Sequence, residues 1–211
     1  MAYFPMFVEI EGKPCLVVGG GKVALRKASI LLDFGAEVTI LSPKLSEEFL
    51  QRQPVCEEEL SGRKRFRLGD REVSYCKKTY EASDLKGMAL VIAATNSERV
   101  NHQIAEDCRR CRIPVNAVDQ IEDCTFIFPA YVRQQDVVAA FSSSGKSPVI
   151  TQYLKKREQE ILTPKLGRLN ELLGAVREEV KQKFDTEEER KRVFREILYA
   201  GLLDEDEKKR S

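Results

Sequence analysis

The chain has 211 residues, 42% hydrophobic and 33% charged, a balance that predicts a packed core under a well-solvated surface. Lysine and arginine (35) nearly cancel aspartate and glutamate (34), so no global positive field draws nucleic acid or a membrane, and any anionic ligand must be held by local groups. No apolar run approaches the roughly 20 residues that span a bilayer, and Met1–Pro5 lacks a signal-peptide pattern, so a cytoplasmic protein is expected.

Leu16-Val17-Val18 is a short apolar run that stops at three glycines and reads as a buried parallel strand. From Lys22 to Phe34, apolar residues return at helical spacing (Val23, Ala24, Ala28, Leu31, Leu32), and Gly35 is placed to end that helix in a left-handed conformation. Glu37–Leu41 is the next strand, which completes a βαβ unit. The charged stretch Glu57–Arg71 reads as a surface loop or frayed helix, followed by a strand over Val73–Cys76. Leu90–Ala94 is a buried strand, Glu98–Arg110 a helix and Val115–Val118 a fifth strand. Such alternation predicts a mostly parallel sheet covered on both faces.

After Asp119 the texture changes. Cys124–Phe128 and Val137–Phe141 read as two strands of a hairpin or meander outside the parallel core, with Pro129 and Gln134–Asp136 marking the turn. Ser147-Pro148 is a helix start, with an N-cap serine and proline at the first helical position. The chain beyond it is helical and highly charged, with a frayed tail from Asp204 to Ser211.

Six cysteines are expected to be thiols in a reducing compartment. Cys108 and Cys111 have CxxC spacing, but the chain's one histidine, His102, leaves no second ligand pair for zinc. The two cysteines are read as ordinary helix positions, His102 as a surface residue, and no metal site is assigned.

Gly19-Gly20-Gly21-Lys22-Val23-Ala24 matches GxGxxA. The first glycine of the pattern permits a tight turn, the second lets backbone approach a pyrophosphate, and the small third residue lets helix pack on strand. The helix start then offers unpaired N–H groups to the phosphates. With a strand before and a helix and strand after, the loop predicts a dinucleotide site. A ligand-free turn and an S-adenosylmethionine-binding methyltransferase are its competitors. The second strand ends at Leu41-Ser42-Pro43-Lys44, without the acidic residue that usually binds the adenosine ribose. Ser42 is a candidate for a ribose hydroxyl, and Lys44 either meets a 2′-phosphate or is simply solvated.

Several segments together resemble the precorrin-2 dehydrogenase and sirohydrochlorin ferrochelatase family, which forms the N-terminal module of siroheme synthases. They are Phe4–Phe7, Cys15–Ala24 with Arg26-Lys27, Ala93–Asn96, Asn116–Asp119, Phe126–Ala130 and Ser142–Pro148, in the family's order and over nearly the whole chain. The resemblance implies a Rossmann-type α/β domain binding NAD (1–115), a β dimerisation region (116–147) and a small C-terminal helical domain (148–211). It implies a homodimer that oxidises precorrin-2 to sirohydrochlorin with NAD, some members also inserting ferrous iron. It places the essential aspartate on Asp119 and a serine phosphorylated in some relatives on Ser143. Cofactor contacts fall on Gly19, Gly20, Gly21, Lys22, Val23, Pro43 and Lys44.

Residue chemistry runs alongside. Thr95 and Asp119 follow strand ends, where a parallel sheet places its ligands, and Asp119 can accept a proton. Read without the family, Asp119 is a polar residue ending a strand in a turn. A tetrapyrrole substrate bears many carboxylates, and Ser143, Ser144, Gly145 and Lys146, before a helix start, form a candidate cradle for them; the plainer alternative is a loop with an N-cap. A non-catalytic NAD-binding sensor is the rival from another functional class: it would need the glycine loop but neither Asp119 nor the cradle.

Overall fold

The computed structural model describes residues 3–51, 54–58, 63–68 and 70–208. The chain divides into two compact units, Met1–Phe128 and Pro129–Ser211.

The first unit is a seven-stranded sheet with helices on both faces. Its strands are β1 (Pro14–Val18), β2 (Glu37–Leu41), β3 (Pro54–Glu58), β4 (Arg63–Leu68), β5 (Arg71–Cys76), β6 (Leu90–Ala93) and β7 (Val115–Ala117). They lie in the order β3-β4-β5-β2-β1-β6-β7. The five strands from β5 to β7 are parallel, and β3 and β4 add an antiparallel edge. Alternate residues serve opposite faces, as the two-residue period of a strand requires. Cys15, Val17, Val38 and Ile40 pack with Ala24, Ala28, Leu31 and Leu32 of α1 (Lys22–Asp33). A short α2 (Glu47–Leu50) follows β2, and Gly35 caps α1 with φ +80°. On the other face, Leu16, Val18, Val91 and Val115 pack with Ile104, Ala105 and Cys108 of α3 (Glu98–Cys111).

Two expectations are corrected in this unit. Glu57–Arg71 is not a loop or frayed helix where it is described: Arg63–Leu68 forms β4, although 59–62 and 69 lie outside the described residues. Phe66 and Leu68 bury alternately beneath its arginines, and Phe66 meets Tyr75 edge-on at 5.9 Å. Cys124–Phe128 is not a strand. The Phe126 carbonyl accepts from Asn116 Nδ2 at 3.1 Å, and the rings of Phe126 and Phe128 pack on the core, so the segment runs as an irregular connection against the sheet. Those same contacts belong to the first unit, which runs to Phe128.

In the second unit, β8 (Ala130–Gln134) pairs with β9 (Val137–Phe141) through a two-residue turn at the expected Gln135-Asp136. Four helices follow: α4 (Pro148–Ile161), α5 (Pro164–Ala175), α6 (Arg177–Lys183) and α7 (Glu187–Lys208). The expected frayed tail is helical as far as Lys208, and 209–211 lie outside the described residues. No helix among the described residues is long and apolar enough to cross a membrane.

Candidate functional site

The carboxyl ends of β1, β2, β6 and β7 lead into the glycine loop, Ser42–Lys44, Thr95 and Asp119. β1 pairs with β2 on one side and β6 on the other, so the chain switches direction across the sheet at β1, where open α/β sheets bind ligands.

The three glycines differ in what requires them. Gly19 has φ +134°, and a Cβ there would lie 2.2 Å from the Ala94 carbonyl oxygen. A Cβ on Gly20 would lie 2.1 Å from the Lys44 carbonyl oxygen. The Gly20 carbonyl also accepts from Ser46 N–H at 2.7 Å, which ties the loop to the segment after β2. Gly21 is different: φ is −89°, ψ is 179°, and a Cβ added there would meet nothing within 4 Å. The protein's own packing requires the first two glycines, and the space at Gly21 is what an approaching phosphate needs. Ala24 is fully buried, the close helix–strand contact expected of it. Leu25 N–H is the first helical donor, to Gly21 at 3.0 Å, so the preceding amides of the first turn have no helical acceptor. Val23 is exposed there, and Lys22 Nζ meets Glu48 Oε1 at 2.6 Å, a contact that raises the ammonium pKa. These residues fit a dinucleotide.

Ser42 is engaged within the loop: its buried hydroxyl donates to the Lys44 carbonyl at 2.7 Å and lies beneath Gly20, so it shapes the loop. Pro43 and Lys44 are exposed beside it. Thr95 is likewise engaged. Its N–H and hydroxyl reach Asn101 Oδ1 at 3.0 and 2.7 Å, and Asn101 Nδ2 returns a bond to the Thr95 carbonyl at 3.2 Å. The buried Asn101 thereby rigidifies the loop after β6.

Asp119 is exposed in the turn after β7 and has φ +62°, an uncommon conformation for a non-glycine residue. Ahead of it, Asn116 accepts a hydrogen bond from Lys27 Nζ at 2.9 Å. Sequence reasoning missed Lys27, which reads as an ordinary helix lysine; its place on the apolar, sheet-facing side of α1 was the available signal. It is 8% exposed, and its Nζ sits 4.1 Å from the centre of the Phe128 ring. Burial, helped by neighbouring Arg26, pushes its pKa down to about 8 against the pull of Cys124 and Asp119.

In the second unit, Ser142–Ser147 forms a tight loop before α4. Ser143 Oγ donates to the Ser147 carbonyl at 3.0 Å and accepts from Ser147 N–H at 2.9 Å. Ser144 and Gly145 adopt positive φ, and Ser144, Gly145 and Lys146 are exposed. Ser147 Oγ caps Ile150 N–H at 3.3 Å, as the sequence predicts.

The CxxC pair lies on α3, as expected. Cys108 is fully buried and its thiol is pushed up to about 12, whereas Cys111 is exposed. His102 Nδ1 lies 2.8 Å from Oδ2 of the buried Asp123, which Arg109 also contacts at 3.1 Å.

The family described as putative NAD(P)-binding matches residues 6–130, and the sirohaem synthase dimerisation region matches residues 165–209. The latter covers α5–α7 from residue 165 to 208, a different stretch from the 116–147 assigned to dimerisation in the sequence. The siroheme synthase of Ruthia magnifica subsp. Calyptogena magnifica is 36% identical over 97% of this chain and 40% of its own length. That of Nitrosospira multiformis is 38% identical over 94% of this chain and 40% of its own. The chain thus spans about two fifths of the length of these relatives. A solved structure, "SirC, precorrin-2 dehydrogenase", shares the fold with a TM-score of 0.70 at 22% identity, covering 92% of this chain and 89% of that one.

Proposed function

This chain belongs to the putative NAD(P)-binding family, and from that premise we propose that it oxidises precorrin-2 to sirohydrochlorin with NAD as acceptor. The observation that carries the reading is the pairing of an open Gly21 after β1 with an exposed Asp119 after β7, both at the carboxyl ends of parallel strands of one sheet. The likeness to siroheme synthases over nearly the whole chain supports a substrate on the way to siroheme.

When bound, NAD supplies a hydride acceptor. The first-turn amides of α1 hold the pyrophosphate, and the space at Gly21 lets it approach. Asp119 takes the proton that leaves the macrocycle as its C–H bond breaks; two electrons and one proton depart as hydride, and the second proton goes to the carboxylate. Exposed Ser144, Gly145 and Lys146, with Ser143 holding their loop, bind substrate carboxylates in this reading. Lys44, exposed after β2, is a candidate contact for a 2′-phosphate, so comparison of NAD with NADP belongs in the assay.

Ferrous iron insertion into sirohydrochlorin is the second step proposed, since it must displace pyrrole N–H protons and Asp119 is a proton acceptor. A homodimer is proposed too. It is supported by the dimerisation-region match and by α4, which has no buried residue and exposes Val149, Ile150, Tyr153 and Ile161. The deciding experiment is anaerobic: precorrin-2 and NAD are mixed with the protein, and ferrous iron is added afterwards. Sirohydrochlorin absorbance with stoichiometric NADH is expected, followed by siroheme. No spectral change despite NAD binding would favour a non-catalytic sensor.

A further inference from the structure

Lys27 is a costly residue in its setting. Charged side chains are seldom buried without a partner of opposite sign, and among the described residues no carboxylate forms an ion pair with it. Its ammonium has one hydrogen bond, to Asn116, and one ring face, Phe128. The ring face favours the ammonium over the neutral amine, but neither contact is the counter-ion that a buried charge usually has.

The contacts beyond Asn116 lead to the Asp119 turn. Asn116 Nδ2 donates to the Phe126 carbonyl at 3.1 Å and reaches Cys124 Sγ at 3.4 Å. Cys124 Sγ lies 3.1 Å from the Ala117 carbonyl and 3.3 Å from that of Gln120, so its single proton is shared between the two ends of the turn. Gln120 N–H closes the same turn to Ala117 at 3.5 Å. Asp119 lies inside this bracket, with its positive φ. Such a conformation persists when the surroundings over-determine it, and the chain from Lys27 through Asn116 and Cys124 does so.

We propose that Lys27 is a positioning residue for Asp119: through Asn116 and Cys124 it fixes the turn that presents the carboxylate, and its buried ammonium supplies a positive charge facing that turn. The inference rests on the reading of Asp119 as the proton acceptor. The charged and titratable groups that act on Lys27 are Arg26 of its own helix, and Cys124 and Asp119 from the segment after β7. Because the ammonium titrates at about 8, its charge is lost just above neutrality.

The test measures kcat, KM and NAD affinity for precorrin-2 oxidation from pH 6 to 9.5 in the wild type, Lys27→Met and Cys124→Ala, with Asp119→Asn as reference. Displacement of a reacting group by about 1 Å costs on the order of 100-fold, so Lys27→Met should lose roughly 10- to 100-fold in kcat. NAD affinity should stay within about twofold, because the glycine loop is untouched. Wild-type kcat should fall as pH rises through about 8, a limb absent from the NAD affinity and from Lys27→Met. Cys124→Ala should lower kcat but keep the limb, since the charge remains. The wild-type profile alone decides if Lys27→Met does not fold: no limb in kcat overturns the inference. Wild-type kcat in Lys27→Met would overturn it as well, as would kcat and NAD affinity falling in step. Full turnover in Asp119→Asn would instead remove the catalytic reading of Asp119. Collapse of Asp119→Asn beside an unaffected Lys27→Met would leave that reading standing and sink the role of Lys27.

Discussion

Gly21→Asp separates cofactor binding from folding, because the two effects have opposite signs. Gly21 has φ −89° and ψ 179°, which any residue adopts, and a Cβ there meets nothing within 4 Å. It is also the N-cap of α1 and makes no side-chain cap bond; an aspartate there is a preferred cap and adds a few tenths of a kcal/mol over glycine. The apo variant should therefore melt within about 2 °C of the wild type, or slightly above it. The cofactor sees a new carboxylate where its pyrophosphate must approach. At ~5 Å and an effective dielectric of about 20–30, one phosphate charge is repelled by about 2–3 kcal/mol. That is roughly a 30- to 150-fold rise in Kd. Titration calorimetry with NAD on wild type and variant reads the change, and thermal unfolding of both apo proteins reads the fold. Gly19→Ala is the contrast: its Cβ would lie 2.2 Å from the Ala94 carbonyl oxygen at φ +134°, so fold and binding should be lost together. An unaltered NAD affinity in a well-folded Gly21→Asp protein would refute the loop as the cofactor site.

Lys27 should leave a mark on stability as well as on rate. Its folded pKa of about 8 lies below the ordinary 10.5, so the folded state binds fewer protons than the unfolded chain between those values, and stability rises with pH across that window. The full effect is about 3 kcal/mol. Buried Cys15 and Cys108 are shifted upward, to about 11 and 12, and act in the opposite direction, so the readout is the wild type minus Lys27→Met in denaturant melts at pH 7 and 10. A difference that does not grow with pH would contradict the buried ammonium. Asn101→Ala should cost about 2 kcal/mol, because it removes a buried amide and leaves the part-buried Thr95 N–H without its acceptor; a melting temperature lowered by about 4–8 °C is expected, and no change would show the loop to be held otherwise. Light scattering at low micromolar concentration should give a dimer, and a monomer alone would contradict the proposed assembly.

The central parallel strands were legible because they are buried on both faces and read as short apolar runs: Leu16–Val18 and Leu90–Ala93 need no partner to be recognised. β4 was not, because Lys64, Arg65 and Arg67 hide the alternation of Phe66 and Leu68, and the antiparallel edge that uses it is a tertiary fact. Cys124–Phe128 misled in the other direction. Its aromatics are apolar for the core cluster, not for a ladder, and the hairpin begins at Ala130 instead. At the site, GxGxxA in its strand–helix–strand context carried the loop, yet spacing does not distinguish Gly19 and Gly20, crowded by carbonyls, from the open Gly21. The engagement of the Ser42 hydroxyl with Lys44 was not legible, nor was that of Lys27 with Asn116, which is 89 residues away in the chain.

The most direct measurement of the central claim is anaerobic oxidation of precorrin-2 by Asp119→Asn, with NAD affinity determined on the same sample. Asn keeps the shape of the side chain, tolerates the positive φ of this turn, and removes the proton acceptor. Loss of a general base costs about 10²–10⁴-fold, so turnover should collapse while NAD affinity and melting temperature hold. Turnover near that of the wild type would contradict the account and leave Asp119 as the polar end of a strand.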